Sequence, residues 1–221
     1  MNQLILALQW LTEPARYSGA DGIPTRLLEH LWQTVLGVGV AALIAVPIGL
    51  AVGHFGVGKG LTVSISGALR ALPTLGLVTL FGLLLGIGLT APLLAFVILA
   101  IPSLLAGAYS ACEAVDRQVI DAARAQGMTG WQILTRVELP LGMPLLISGV
   151  RLASVQVVST AMLAAYIGNG GLGQYIFRGL ALQDYPQMLA GSILVIVLAL
   201  ALDLLLRGVE LLTAPRGAAR G

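Results

Sequence analysis

Residues 113–140 read EAVDRQVIDAARAQGMTGWQILTRVELP, and the reading of this stretch decides how the rest of the chain is arranged. It is too polar for a bilayer core and too long for a bare turn. Ala114, Ala122, Ala123 and Ala125 favour helix. Gly127 and Gly130 break it, and a second helical stretch from Trp131 is expected to end at Pro140. Val115, Val119, Ala122 and Gln126 fall roughly on one face of the first helix. Small side chains on that face let another backbone come close. Periodicity alone leaves two readings open: a docking site for a partner, or an amphipathic loop resting on the membrane surface.

The surroundings of this stretch are of another kind. The 221 residues are 57% hydrophobic and only 10% charged, with a mean hydropathy of +0.94. One soluble core cannot hide that much apolar surface, so lipid is expected to cover the rest. Five segments are long enough to cross a hydrocarbon core of about 20 helical residues. They run near 27–52, 61–88, 92–111, 141–167 and 188–212. Backbone groups in lipid need internal partners, so the spans are helices and the fold class is all-α integral membrane. Met1 to Leu11 reads as a short apolar or interfacial helix ended at Glu13-Pro14, without the basic start of a signal peptide.

Lysine and arginine set the orientation. With residues 113–140 inside, nine of the twelve basic side chains lie inside or near the inner helix ends, including Lys59, Arg70, Arg117, Arg151 and Arg207. Arg16, Arg26 and Arg178 lie outside. The N-terminus is then outside and the C-terminus cytoplasmic. The chain divides into an outer segment (1–26), a membrane domain (27–212) carrying the loop 113–140, and a cytoplasmic tail (213–221). An odd number of spans does not make two matched halves, so a pathway is expected between two copies or two related subunits. Gly49/Gly53 and Gly82/Gly86, at four-residue spacing, suit close helix approach.

Several motifs resemble chemistry and lack its context. Gly53 to Lys59 matches most of a phosphate-binding loop, but Gly60 stands where Ser or Thr should hold magnesium, and no strand precedes it. Gly168-Asn169-Gly170-Gly171-Leu172-Gly173 matches a dinucleotide fingerprint with no βαβ unit around it; its glycines suit tight turns. His30 and His54 stand alone beside membrane boundaries, so no metal site is expected. Cys112 is the single cysteine and reads as a small apolar helix residue. A net charge of +2 without a basic run gives no reason to expect nucleic acid. No catalytic constellation is visible, and the chain is expected to be no enzyme. Among ionisable residues near the spans, Asp203 and Arg207 are four apart and expected to pair along one helix face. Arg70 and Arg151 either snorkel inward or face the bundle interior, as gate candidates.

The long polar segment carries a resemblance. Asp121-Ala122-Ala123, three residues, Gly127, nine residues, then Val137-Glu138-Leu139-Pro140 resembles the signature loop of permease subunits from binding-protein-dependent ABC importers. That signature reads Glu-Ala-Ala, three residues, Gly, nine residues, Ile-x-Leu-Pro; this chain has Asp at 121 and Val at 137. The likeness runs from about Leu27 to Leu212 and implies the five-helix, methionine-importer-like type I permease fold. Leu72-Pro73-Thr74-Leu75 and the run Tyr166 to Arg178, with its Phe177-Arg178-Gly179 ending, are similar to the branch importing glycine betaine, carnitine and choline. The glycine run also resembles methionine-importer permeases.

The resemblance implies a bacterial inner-membrane subunit working with a cytoplasmic ABC ATPase dimer, a second identical or homologous permease and an extracytoplasmic binding protein. Asp121, Ala122, Ala123, Gly127, Leu139 and Pro140 would then form the ATPase-coupling segment. ATP and magnesium would be bound by the ATPase, and this chain would bind no cofactor. Pathway or gate candidates are Arg70, Pro73, Thr74 and Arg151. At the outer mouth stand Tyr166, Tyr175 and Phe177, which could attract a quaternary amine through cation–π contact or simply anchor helices. With aromatic residues at only 5%, most affinity is expected to reside in the binding protein. Two readings compete. An ATP-independent channel or transporter would want carboxylates at mid-span, where only Asp203 comes near. A membrane anchor would need the docking loop but no proline-interrupted, glycine-rich helices.

Overall fold

The computed structural model describes residues 2–213 and is helical. A short helix α1 (Asn2–Thr12) and a 3-10 turn (Pro14–Tyr17) precede the long α2 (Ile23–Phe55). Two 12-residue helices follow, α3 (Lys59–Arg70) and α4 (Thr74–Leu85), then α5 (Thr90–Glu113). The polar segment holds α6 (Arg117–Ala125) and α7 (Gly130–Ile133). A π-turn (Leu134–Glu138), α8 (Leu139–Ala161) and a 3-10 turn (Met162–Ile167) continue from α7 without interruption. A short α9 (Gly173–Leu182) leads into α10 (Tyr185–Thr213).

Helix α5 is the axis of the bundle, with α2 and α8 packed along it. Small residues set the spacing. A Cβ on Gly49 would lie 2.7 Å from the Leu105 carbonyl oxygen, and one on Gly53 2.6 Å from that of Tyr109. On the other side of α5, Gly107 and Gly149 face each other so closely that a Cβ on Gly149 would meet the Gly107 Cα at 2.8 Å. Phe96 and Leu104, fully buried, fill the core between the three helices with Val157 and Ala100. Packing and backbone proximity hold such helices together, because lipid tails are as apolar as leucine. The outward faces remain apolar, with Leu43 79% and Leu204 66% exposed, as a surface facing hydrocarbon requires. A second cluster joins Trp10 of α1, Tyr175 of α9 and Val195 of α10.

Three expectations change. The second span is not continuous: α3 and α4 meet at an 82° bend around Ala71 to Pro73. Pro73 has no N–H to donate and disfavours helix at Leu72, so the break falls there. Four helices are long and apolar enough to cross a membrane, and this bent pair counted as one span makes five. Pro140 does not end a helix either. The Leu139 N–H reaches back five residues to the Leu134 carbonyl, and the widened turn accepts the proline ring. Finally, Gly86 packs against nothing; it caps α4 with φ +84°, while Gly82 meets Ile167. The residues 214–221, with Arg216 and Arg220, lie outside the described part of the chain.

Candidate functional site

The polar segment is folded tightly by its own caps. The Asp116 carboxylate accepts from the Gln118 N–H at 2.8 Å and starts α6. At the other end the Gly127 N–H reaches the Arg124 carbonyl (2.9 Å) and the Met128 N–H the Ala123 carbonyl (3.2 Å). This is a Schellman closure, and it puts Gly127 at φ +80°, a conformation strained for other residues. Two residues later a capping box starts α7. Thr129 N–H donates to Gln132 Oε1 (2.8 Å), and Gln132 N–H to Thr129 Oγ1 (3.4 Å). The spacing from Asp121 to Gly127 is therefore the second half of α6 plus its glycine cap.

Asp121, Ala122 and Ala123 do not all face the same way. Asp121 is 72% exposed and lies 3.5 Å from Arg124; Ala122 is exposed beside it, and Ala123 is buried beneath. Val119, Ala122 and Gln126 border one shallow hollow, as the face expected from periodicity, whereas Val115 turns to a crevice on the other side. Leu139 lines an apolar groove of about 580 Å³ with Pro47, Phe55 and Trp131. Pro140 is exposed just after the π-turn.

The crevice beneath α6, about 520 Å³, is lined by charged groups that sequence reading left unpaired. Lys59 holds Glu113 across the turn after α2. His54 Nδ1 donates to Glu138 Oε2 at 2.6 Å, with the side chains only 11% and 7% exposed. An ionised carboxylate can only accept, so opposite ionised Glu138 it is Nδ1 that carries the proton. His54 is therefore no solitary interfacial histidine. Its partner is 84 residues away in sequence, and no local pattern announces it.

A second groove lies on the faces of α5 and α8 that the α3–α4 elbow overhangs. Arg70, Thr74, Ser103 and Gln156 border about 380 Å³ of it, and Arg70, Ser110 and Ser148 a contiguous part of about 190 Å³. Arg70 and Thr74 thus belong together, with Pro73 forming the elbow beside them. Ser103 is ten residues from the end of α5, roughly 15 Å along the helix, so the groove reaches mid-span. Sequence reading missed these serines and Gln156. The available signal was their spacing on otherwise apolar helices: Ser103 and Ser110 are seven apart, and Ser148, Leu152 and Gln156 succeed one another every four.

Arg151 is elsewhere. It points to α10, with Nη1 3.0 Å from Asp203 and Nε 3.1 Å from Glu210. The expected Asp203–Arg207 pair does not form, because a neighbouring helix offers Asp203 a cation at shorter reach while Arg207 faces outward.

At the opposite end the glycine run folds against α2. Gly171, at φ +93°, donates its N–H to Glu29 Oε2 (2.8 Å). His30 accepts the Leu172 N–H at Nδ1 (3.3 Å) and donates from Nε2 to the Val158 carbonyl (2.8 Å). Glu29 also pairs with Arg26, which holds Asp21 and pulls that carboxyl below its ordinary range. His30 is a buried structural histidine. Of the three aromatics, Tyr166 and Phe177 come together with ring centroids 5.6 Å apart, Tyr166 being exposed. Tyr175 does not join them: it is buried against Trp10 and donates to the Asp21 carbonyl at 2.6 Å. Among the described residues no group of three metal-ligating side chains comes together.

Known proteins resemble this chain in sequence and in fold. The family model described as "Binding-protein-dependent transport system inner membrane component" matches residues 43–214. The glycine betaine/carnitine/choline transport system permease protein OpuCB of Bacillus subtilis is 31% identical, over 86% of this chain and 87% of its own. The osmoprotectant import permease protein OsmW of Salmonella typhimurium is 33% identical, over 86% and 90% respectively. An inward-facing structure of the MetNI methionine ABC transporter superposes with a TM-score of 0.75 at 20% identity, covering 87% of this chain and 96% of that one. With most of its length matched by that model, the chain belongs to the binding-protein-dependent transport system inner membrane components and is a multi-pass permease subunit of an ABC importer.

Proposed function

We propose that this permease passes a small osmoprotectant, such as glycine betaine, choline or carnitine, and that α6 is the part gripped by its ATPase. The observation that carries the coupling role is the exposed Asp121–Ala122 edge on a helix capped at both ends. A helix so held moves as a unit when its partner moves. The cytoplasmic ATPase dimer would hydrolyse ATP with its own magnesium, and its closure would reorient the permease helices, a two-state element biased by nucleotide. The α6 end would be cytoplasmic, and residues 1–26 with the glycine run would meet the binding protein outside.

Two permease subunits, identical or homologous, would close the Arg70–Ser103–Gln156 groove into the pathway. The permease relatives named for choline, carnitine and betaine support the solute class. The Tyr166–Phe177 pair, with Tyr166 exposed, supports it further, since aromatic faces attract quaternary ammonium. Reconstitution of the permease with its co-purifying ATPase and binding protein tests this through ATP-dependent uptake. Betaine, choline or carnitine should be taken up in preference to methionine; preference for methionine or another amino acid would reassign the solute and leave the coupling role standing.

A further inference from the structure

The buried pair His54–Glu138 joins two parts that a coupling motion must connect. His54 is in the last turn of α2, whose Gly49 and Gly53 lie against α5. Glu138 closes the π-turn between α7 and α8, eleven residues from the Gly127 cap of α6 and nine from Thr129, which caps α7. The caps leave little slack, so a push on α6 arrives at the π-turn. There the ladder is already widened, and bending concentrates at such turns. A carboxylate this enclosed is costly without its partner. Displacement of the π-turn must therefore either carry α2 with it or break the pair.

We propose that His54 and Glu138 form the joint through which α6 moves α2 and α8 together; this rests on α6 being the ATPase-coupling helix. The crevice around the pair also holds Arg117, Asp121 and Arg124 of α6, so the joint lies directly beneath the docking edge. Both are positioning residues and touch neither solute nor nucleotide in this account.

The test uses the reconstituted importer with uptake and ATP hydrolysis measured together. His54→Ala and Glu138→Ala should each lower solute transported per ATP by about tenfold, the scale of a lost coupling term. His54→Gln, which keeps a donor for Glu138, should recover most of that ratio. An unchanged ratio in His54→Ala and Glu138→Ala overturns the joint. So does a parallel fall of uptake and hydrolysis, or loss of assembly in all three variants, because either marks a merely structural pair. Failure of the wild-type permease to associate with an ATPase would instead overturn the coupling role of α6.

Discussion

Arg151 of α8 lies 3.0 Å from Asp203 of α10, and this contact ties the last helix to the core of the permease. Its other side meets Glu210. Helix α10 also packs on α1 and α9 through Ala190 and Val195, and one basic side chain shared by two acids adds a polar tie to α8. Groups of this kind in lipid are paired or lost to it.

Replacing Arg151 by Leu leaves Asp203 and Glu210 without their cation. It should cost about 2 kcal/mol, below the range for fully buried pairs because these groups are partly exposed. Asp203→Asn should cost less, since Glu210 still holds Arg151. Thermal unfolding of the purified permease in detergent checks the order, which an equal shift for both variants would contradict.

The Gly107–Gly149 contact makes a sharper contrast. Gly149→Leu has no room against the α5 backbone and should destabilise by about 3 kcal/mol or prevent assembly. Gly39 faces open space on α2, so Gly39→Ala should be neutral or stabilise by up to about 1 kcal/mol. The same unfolding measurement compares them.

Arg70, Ser103 and Gln156 border a groove that is polar inside an apolar bundle. Ser103→Leu and Gln156→Leu should reduce uptake by about tenfold or more while folding is kept, because a polar contact in the pathway is replaced by bulk. Transport assays in proteoliposomes with matched protein content check this; full uptake in both variants would remove the groove from the pathway.

Tyr166 and Phe177 are predicted to matter for solute, and Tyr175 for stability. Tyr175→Phe loses the hydrogen bond to the Asp21 carbonyl, costing about 1 kcal/mol with uptake kept. Tyr166→Ala should instead raise the half-saturating solute concentration by about threefold or more with unfolding unchanged. Uptake curves and unfolding, measured on the same preparations, separate the two effects.

What could be read in the sequence was periodic or local. The apolar spans were long enough to declare themselves, and the alanines, Gly127 and Pro140 marked the polar segment by composition. The bend at Pro73 was less legible because apolar residues continue through it, and hydropathy does not register a change of axis. Pro140 misled for the opposite reason: a proline usually stops a helix, and the π-turn that spares it depends on hydrogen bonds five residues apart. The ion pairs were hidden by distance along the chain. Asp203 had an obvious partner at Arg207 and took a different one from α8, as Glu138 took His54 from α2.

The most direct test of the central claim is ATP-driven uptake by the reconstituted importer carrying Gly127→Leu or Asp121→Lys. Leucine cannot easily adopt φ +80°, and lysine reverses the charge of the docking edge. Both variants should insert into the membrane and lose uptake, while wild type transports. Uptake equal to wild type in both would contradict the assignment of α6 as the coupling helix.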